Sequence, residues 1–224
     1  MNDAFARILL PNFRKTLDLL DQLEREEQSR EQVKATVMKW IDEADRKLSI
    51  DPNLSHQYNE LGPARGTNVM FGARYAVIAW IEEMLTQSEW GKRVKWGLEN
   101  DSLEWEYYKV RNYATWFYDS ADTAKKYDCL DALEVHLLCV TLGFQGKFRS
   151  KPQAFTEWVS EIYALVAKNN ESTNLELGAD QPITPLRSRL GGRILLRTSI
   201  LTSITTFVSL LIYFLSVHLV ASSS

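Results

Sequence analysis

Residues 198–220 read TSILTSITTFVSLLIYFLSVHLV, 23 positions without an Asp, Glu, Lys or Arg. At about 1.5 Å rise per residue, such a helix crosses a hydrocarbon core of about 30 Å with some tilt. A soluble core helix rarely runs so far without a charge. The run lies near the end of the 224 residues, with only residues 221–224 after it. It is therefore expected to be a tail anchor rather than a signal peptide. Arg187, Arg189, Arg193 and Arg197 crowd the stretch before it, and no cation follows it. Positive residues stay on the cytoplasmic side, so the body is expected to face the cytoplasm and the short tail the other side.

Within the run, Ser199, Thr202, Thr206, Ser209, Tyr213 and Ser216 recur at alternating spacings of three and four. That is an a/d seam, and it places the six on one helix face. Small hydroxyl residues let membrane helices approach closely and hydrogen-bond across the contact. The seam is expected to pack on a second membrane helix. The plainer alternative is the ordinary scatter of Ser and Thr in membrane helices, since Ser203, Thr205 and His218 lie off it.

Charge separates the rest of the chain from this end. All 29 acidic residues lie at or before Asp180, and only four of the 26 Lys and Arg lie after residue 186. Residues 1–186 therefore hold 22 basic against 29 acidic residues. A body of that sign has no general attraction for a polyphosphate, which argues against nucleic-acid binding. With 45% hydrophobic and 25% charged residues, the chain is neither disordered nor collagen-like. A mean hydropathy of −0.25 excludes a polytopic membrane protein. Cys129 and Cys139 match no zinc spacing and make a poor disulfide framework, so free buried thiols in a reducing compartment are expected.

Helical periodicity dominates residues 1–170. Phe13, Leu17, Leu20 and Leu23 mark one face of a first helix starting near Pro11. Ser29 with Gln32 resembles a capping box opening a second helix with Val33, Val37, Trp40, Ile41, Ala44 and Leu48 on its apolar face. Residues 49–66 read as loop, 68–87 as a third helix, and Gly91 and Gly97 as breaks. Residues 103–117 read as one aromatic-rich helix, 128–142 as an apolar helix capped by Gly143, and Pro152 as the start of a last one. Residues 169–186 are polar and Pro-containing, a linker. The fold class is all-α: a helical-bundle cytoplasmic domain (1–168), a linker and basic juxtamembrane segment (169–197), one transmembrane helix (198–220) and a short tail (221–224). The seven tryptophans are most simply packing residues.

No phosphate-loop, dinucleotide, zinc or nucleophile-elbow pattern is present. The pair Glu82–Glu83 closes a strongly apolar helix. Adjacent helical residues point about 100° apart, so the two cannot share a proton on one face. One is expected to turn inward and the other to stay in water. His136, on an apolar helix, is expected to be a satisfied core residue. A tail-anchored enzyme using Glu82, Glu83 or His136, and a generic tail-anchored adaptor, are the rival readings. No cofactor, metal or small-molecule substrate is implied. The run LGFQGKFR (residues 142–149) supplies two glycines beside Lys147, Arg149 and Lys151, which suits a Gly-capped helix end with cations at its negative pole.

At these residues the chain resembles the TssL/DotU (IcmH) family of type VI and type IVb secretion systems. The segment LEVHLLCVTLGFQGKFR (residues 133–149) carries the family pattern LGFxGK[FY]R on Leu142, Gly143, Phe144, Gly146, Lys147, Phe148 and Arg149. RYAVIAWIEE (residues 74–83), followed by Trp90, matches a second family helix. The family's usual Asp-Glu pair is Glu82–Glu83 here, and its Gly-Gly-Glu turn is replaced by NYATWFY at residues 112–118. The resemblance implies a non-enzymatic role, with a hook-like cytoplasmic domain of two small bundles held in the bacterial inner membrane. It implies an IcmF/TssM-like membrane partner, a TssJ-like lipoprotein in the same complex, and the baseplate proteins TssK and TssE as cytoplasmic partners. Self-association is compatible with it. By position, Glu82, Glu83 and Trp90 become the partner-binding residues. No periplasmic peptidoglycan-binding extension is expected.

Overall fold

The computed structural model describes residues 1–176, apart from 51, 62–69 and 99–101. The membrane run, its seam, the four topology arginines and the tail lie outside the described residues.

The first helix, α1 (Asp3–Leu23), starts well before Pro11. The side chain of Asn2 accepts from Ala4 N at 2.8 Å and caps it. Pro11 sits inside the helix, where it removes one backbone hydrogen bond. The helix continues because its buried stripe begins at Phe5 and Leu9 and runs on through Phe13, Thr16, Leu19 and Leu23. Leu17, expected in the core, is 36% exposed. The capping box of α2 (Arg30–Leu48) is present in full: Gln32 N donates to Ser29 Oγ and Ser29 N to Gln32 Oε1. Val33, Val37, Ile41, Ala44 and Leu48 are buried along it, while Trp40 is half-buried.

The stretch read as loop holds a short helix, α3 (Pro52–Asn59), whose buried Tyr58 donates to Asp45 at 2.7 Å. Two short strands follow, β1 (Glu60–Leu61) and β2 (Met70–Phe71), paired antiparallel with Glu60 opposite Phe71. This pairing is the departure from a purely helical reading. It displaces the start of the next helix, α4 (Ala73–Gln87). A Cβ on Gly72 would lie 2.6 Å from the Tyr58 carbonyl oxygen, so only glycine permits that crossing.

Helix α4 is apolar almost all round, which marks a central helix rather than a surface one. It packs most extensively on α8 (Leu130–Thr141). Helix α5 (Glu89–Val94) runs through Gly91 and ends at Lys95 in left-handed backbone, φ 59°. The single helix expected over 103–117 is two, α6 (Leu103–Tyr108) and α7 (Tyr113–Lys126), separated by Lys109 at φ 56°. Gly143, φ 106°, ends α8 as expected. A 3-10 turn (Gly146–Phe148) leads to α9 (Pro152–Glu176), which continues past residue 168 into the stretch read as linker.

All these elements belong to one unit, Met1–Leu177. Trp80, Trp90 and Trp96 are buried, and Trp40, Trp116 and Trp158 pack against the core. Both cysteines are free and buried. Among the described residues, no helix is long and apolar enough to cross a membrane.

Candidate functional site: buried carboxylates around a cleft

Both members of the Glu82–Glu83 pair are buried, each 1% exposed, so neither stays in water as expected. They point apart, as helix geometry requires, and each reaches a different distant segment. Glu83 Oε1 accepts from Gln145 N at 2.8 Å, and Oε2 from Gly146 N at 3.0 Å. Arg149 Nη2 completes the set at 2.9 Å from Oε1. A carboxylate thus caps the 3-10 turn, where unpaired backbone N–H groups attract negative charge. The expectation that Arg149 serves the end of α8 is corrected: its partner is Glu83.

Glu82 faces the other way. Its Oε2 accepts from Leu103 N at 2.8 Å, at the start of α6. Burial pushes its pKa up to about 7, against the hydrogen bonds it receives from Leu103 N and the Trp96 indole. A third carboxylate, Glu104, belongs to the same site without any motif in the sequence to mark it. It is 1% exposed, accepts from Asn112 N at 2.9 Å at the start of α7, and receives the Tyr75 hydroxyl. Burial raises its pKa as well. Three acids on two helices therefore hold the starts of three later elements.

The LGFQGKFR loop is fastened from a second side. Tyr118 Oη donates to the Gln145 carbonyl at 2.7 Å, and Lys147 lies 3.5 Å from Asp119. Gly146 has φ 46°, and a Cβ there would stand 2.7 Å from the Ala114 carbonyl oxygen. Phe144 is fully buried in a ring cluster with Phe117 and Tyr118. Leu142 supplies the carbonyl that receives the Trp80 indole N–H at 3.4 Å, and Phe148 packs edge-on against Tyr118.

Trp90, expected at a partner surface, is 2% exposed. Its indole donates to the Gln28 carbonyl at 3.0 Å and so ties α5 to the α1–α2 connection. His136 is fully buried, with Nδ1 2.8 Å from the Ala132 carbonyl, and burial lowers its pKa to about 4. It is a core residue as expected but only half satisfied, since its Nε2 is buried without a hydrogen-bond partner. Glu82, Trp96, Leu98, Ser102, Glu104 and Arg111 are among the residues lining a cleft of about 270 Å³. Neither Glu83 nor His136 lines it. Among the described residues, no group of His, Cys, Asp and Glu is arranged to hold a metal.

The pairing of residues 74–83 with 142–149 places the two sequence motifs against each other. A family model described as type VI secretion system protein DotU matches residues 64–219, well over half of the chain. This chain belongs to the DotU family. The fold agrees: the cytoplasmic domain of TssL from Acinetobacter baumannii superposes with a TM-score of 0.57 at 16% identity, covering 75% of this chain and 99% of that one. Comparison with curated proteins gives no match. DotU membership makes the chain a structural component of a type VI secretion system, in a family associated with the inner membrane.

Proposed function

We propose that the chain is a non-enzymatic part of a type VI secretion membrane complex that anchors it in the bacterial inner membrane and docks baseplate proteins on its cytoplasmic domain. The observation that carries this reading is the DotU match across residues 64–219, together with the TssL-like helical fold. Residues 198–220 supply the single span, Arg187, Arg189, Arg193 and Arg197 keep the body cytoplasmic, and the C-terminus is periplasmic. The hydroxyl seam from Ser199 to Ser216 packs on a span of an IcmF/TssM-like protein, with a TssJ-like lipoprotein in the same assembly. TssK- and TssE-like proteins dock at the Glu82 cleft. Glu82, Glu83 and Trp90 serve that docking from beneath the surface, by fixing the backbone that a partner touches.

The test is affinity purification of the full chain from its host in mild detergent, followed by mass spectrometry. Recovery of an IcmF-like protein with baseplate components supports the reading. Recovery of the chain alone, across several detergents, overturns it and returns the generic adaptor.

A further inference from the structure

A narrow notch lies between α1 and α2, lined by Arg7, Asn12 and Lys15 of the first helix and Trp40, Glu43 and Lys47 of the second. It shares no lining residue with the Glu82 cleft. Asn12, a polar residue in its wall, is only 4% exposed. The Asn12 backbone carbonyl receives Thr16 Oγ1 at 2.8 Å, but the side-chain amide makes no hydrogen bond among the described residues. Buried polar groups are ordinarily paired, so this amide stands ready for a group that enters the notch.

Charge, size and spacing narrow the occupant. Among the described residues, Arg7, Lys15 and Lys47 line the notch against one acid, Glu43, on a body in which acids outnumber bases. Glu43 is already held by Lys47 at 2.7 Å, with Lys15 at 3.9 Å. Arg7 is exposed and has no ion pair among the described residues. Lys15 also lies over the Trp40 ring, 5.7 Å from its centre. An incoming ammonium group meets like charge here. A carboxylate is drawn by Arg7 and Lys15 and can accept from the Asn12 NH₂. At about 40 Å³ the notch exceeds the space of one water and admits the tip of a side chain rather than a metabolite. Beside it on α1, Leu10 and Leu17 are 45% and 36% exposed and seven positions apart, as are Arg7 and Arg14. Asp3 lies at the far end of that surface. An apolar line next to a cationic one, both at heptad spacing, suits a helix lying along α1 with carboxylates on its flank.

We propose that this notch is a docking point that takes an Asp or Glu side chain from an amphipathic helix of a partner protein laid along α1. Opposite charge selects the partner, Leu10 and Leu17 supply apolar contact, and the Asn12 amide fixes the carboxylate in register. A second copy of the same face is disfavoured, because it brings cation against cation. The contact is additional to docking at the Glu82 cleft and does not depend on it.

The test places the photoreactive residue p-benzoylphenylalanine at Leu10, on the exposed side of α1, in the full chain expressed in its host. After irradiation, the crosslinked peptide is mapped by mass spectrometry. A peptide of another protein is expected, with apolar residues at helical spacing and an Asp or Glu within two turns of the attachment point. Lys15→Glu and the near-isosteric Asn12→Asp are each expected to lower the crosslink yield about tenfold, the loss of one charge-assisted contact. Changing the mapped acid of the partner to Lys is expected to restore the yield with Lys15→Glu. That rescue needs a folded body, so it separates lost charge pairing from lost fold. A crosslink to lipid or to a second copy, no crosslink, a yield that neither variant lowers, or a charge swap without rescue overturns the proposal. Each of these outcomes leaves docking at the Glu82 cleft to its own test.

Discussion

Glu83 and Arg149 lie 66 positions apart in the chain and 2.9 Å apart in space, the carboxylate 2% exposed and the guanidinium 44%. The carboxylate also accepts from two backbone N–H groups, so the arginine is one of three partners.

Glu83→Ala leaves two loop amides without their acceptor and is expected to cost about 3 kcal/mol, as for breaking a buried charge set. Arg149→Ala is expected to cost only about 1 kcal/mol, because water reaches that side of the pair. Urea midpoints of the two variants check this. Equal losses contradict the assignment of the backbone amides as the main partners.

Glu82 makes stability depend on pH in a direction opposite to most acids. Its folded pKa of about 7 lies above the ordinary 4.5, so the folded state holds a proton that the unfolded state has released. Stability therefore falls as pH rises from about 4.5 to 7, by up to about 3 kcal/mol. Glu82→Gln is expected to flatten that slope. A melting series across this window shows it, and a parallel slope in the variant refutes it.

His136 acts at the acid end. Its folded pKa of about 4 lies below the ordinary 6.5, so its contribution is complete above 6.5 and is lost as pH falls toward 4. Its imidazole resonances are expected to stay fixed between pH 7 and 5. A midpoint near 6.5 there rules out the buried neutral form.

Gly146 and Gly143 both have positive φ but differ in surroundings. Gly146→Ala drives a Cβ to 2.7 Å from a backbone oxygen, whereas the nearest atom at Gly143 is the Met84 methyl carbon at 3.8 Å. The first substitution is expected to cost at least about 2 kcal/mol and the second about 1 kcal/mol, the ordinary cost of left-handed backbone. Denaturation midpoints in the reverse order contradict the close approach.

In the membrane run, Thr202, Thr206 and Ser209 replaced together by Leu are expected to leave insertion intact and reduce co-purified IcmF-like protein. Unchanged recovery removes the seam as the packing face.

What the sequence revealed depended on range. The Ser29–Gln32 capping box was legible because both its bonds span three residues. The Gly143 cap and the apolar stripe of α2 are local in the same sense. The Pro11 boundary misled because proline's penalty was outweighed by Phe5 and Leu9, whose burial depends on helices elsewhere. The break between α6 and α7 falls at Lys109, which carries no signal for left-handed backbone. At the site, the motif residues were recognisable as a set, but Glu83's hold on residues 145–149 was not, since no spacing rule links positions so far apart. Glu104 carries no sequence signal for the same reason, lying in an ordinary WEYY-flanked acidic stretch.

The hold of Glu83 on its loop has a consequence for synthesis. A ribosome makes Glu83 and then needs 62 further residues to reach Gln145. At roughly 5–20 residues per second, that interval lasts several seconds. Throughout it, the carboxylate has water as its partner in place of the loop, so the helix that comes to lie deepest in the unit stays wet at that point. Closure of α4 against α8 is thereby tied to near-completion of the nascent body, and a chain cut short before residue 149 keeps a hydrated defect at its centre.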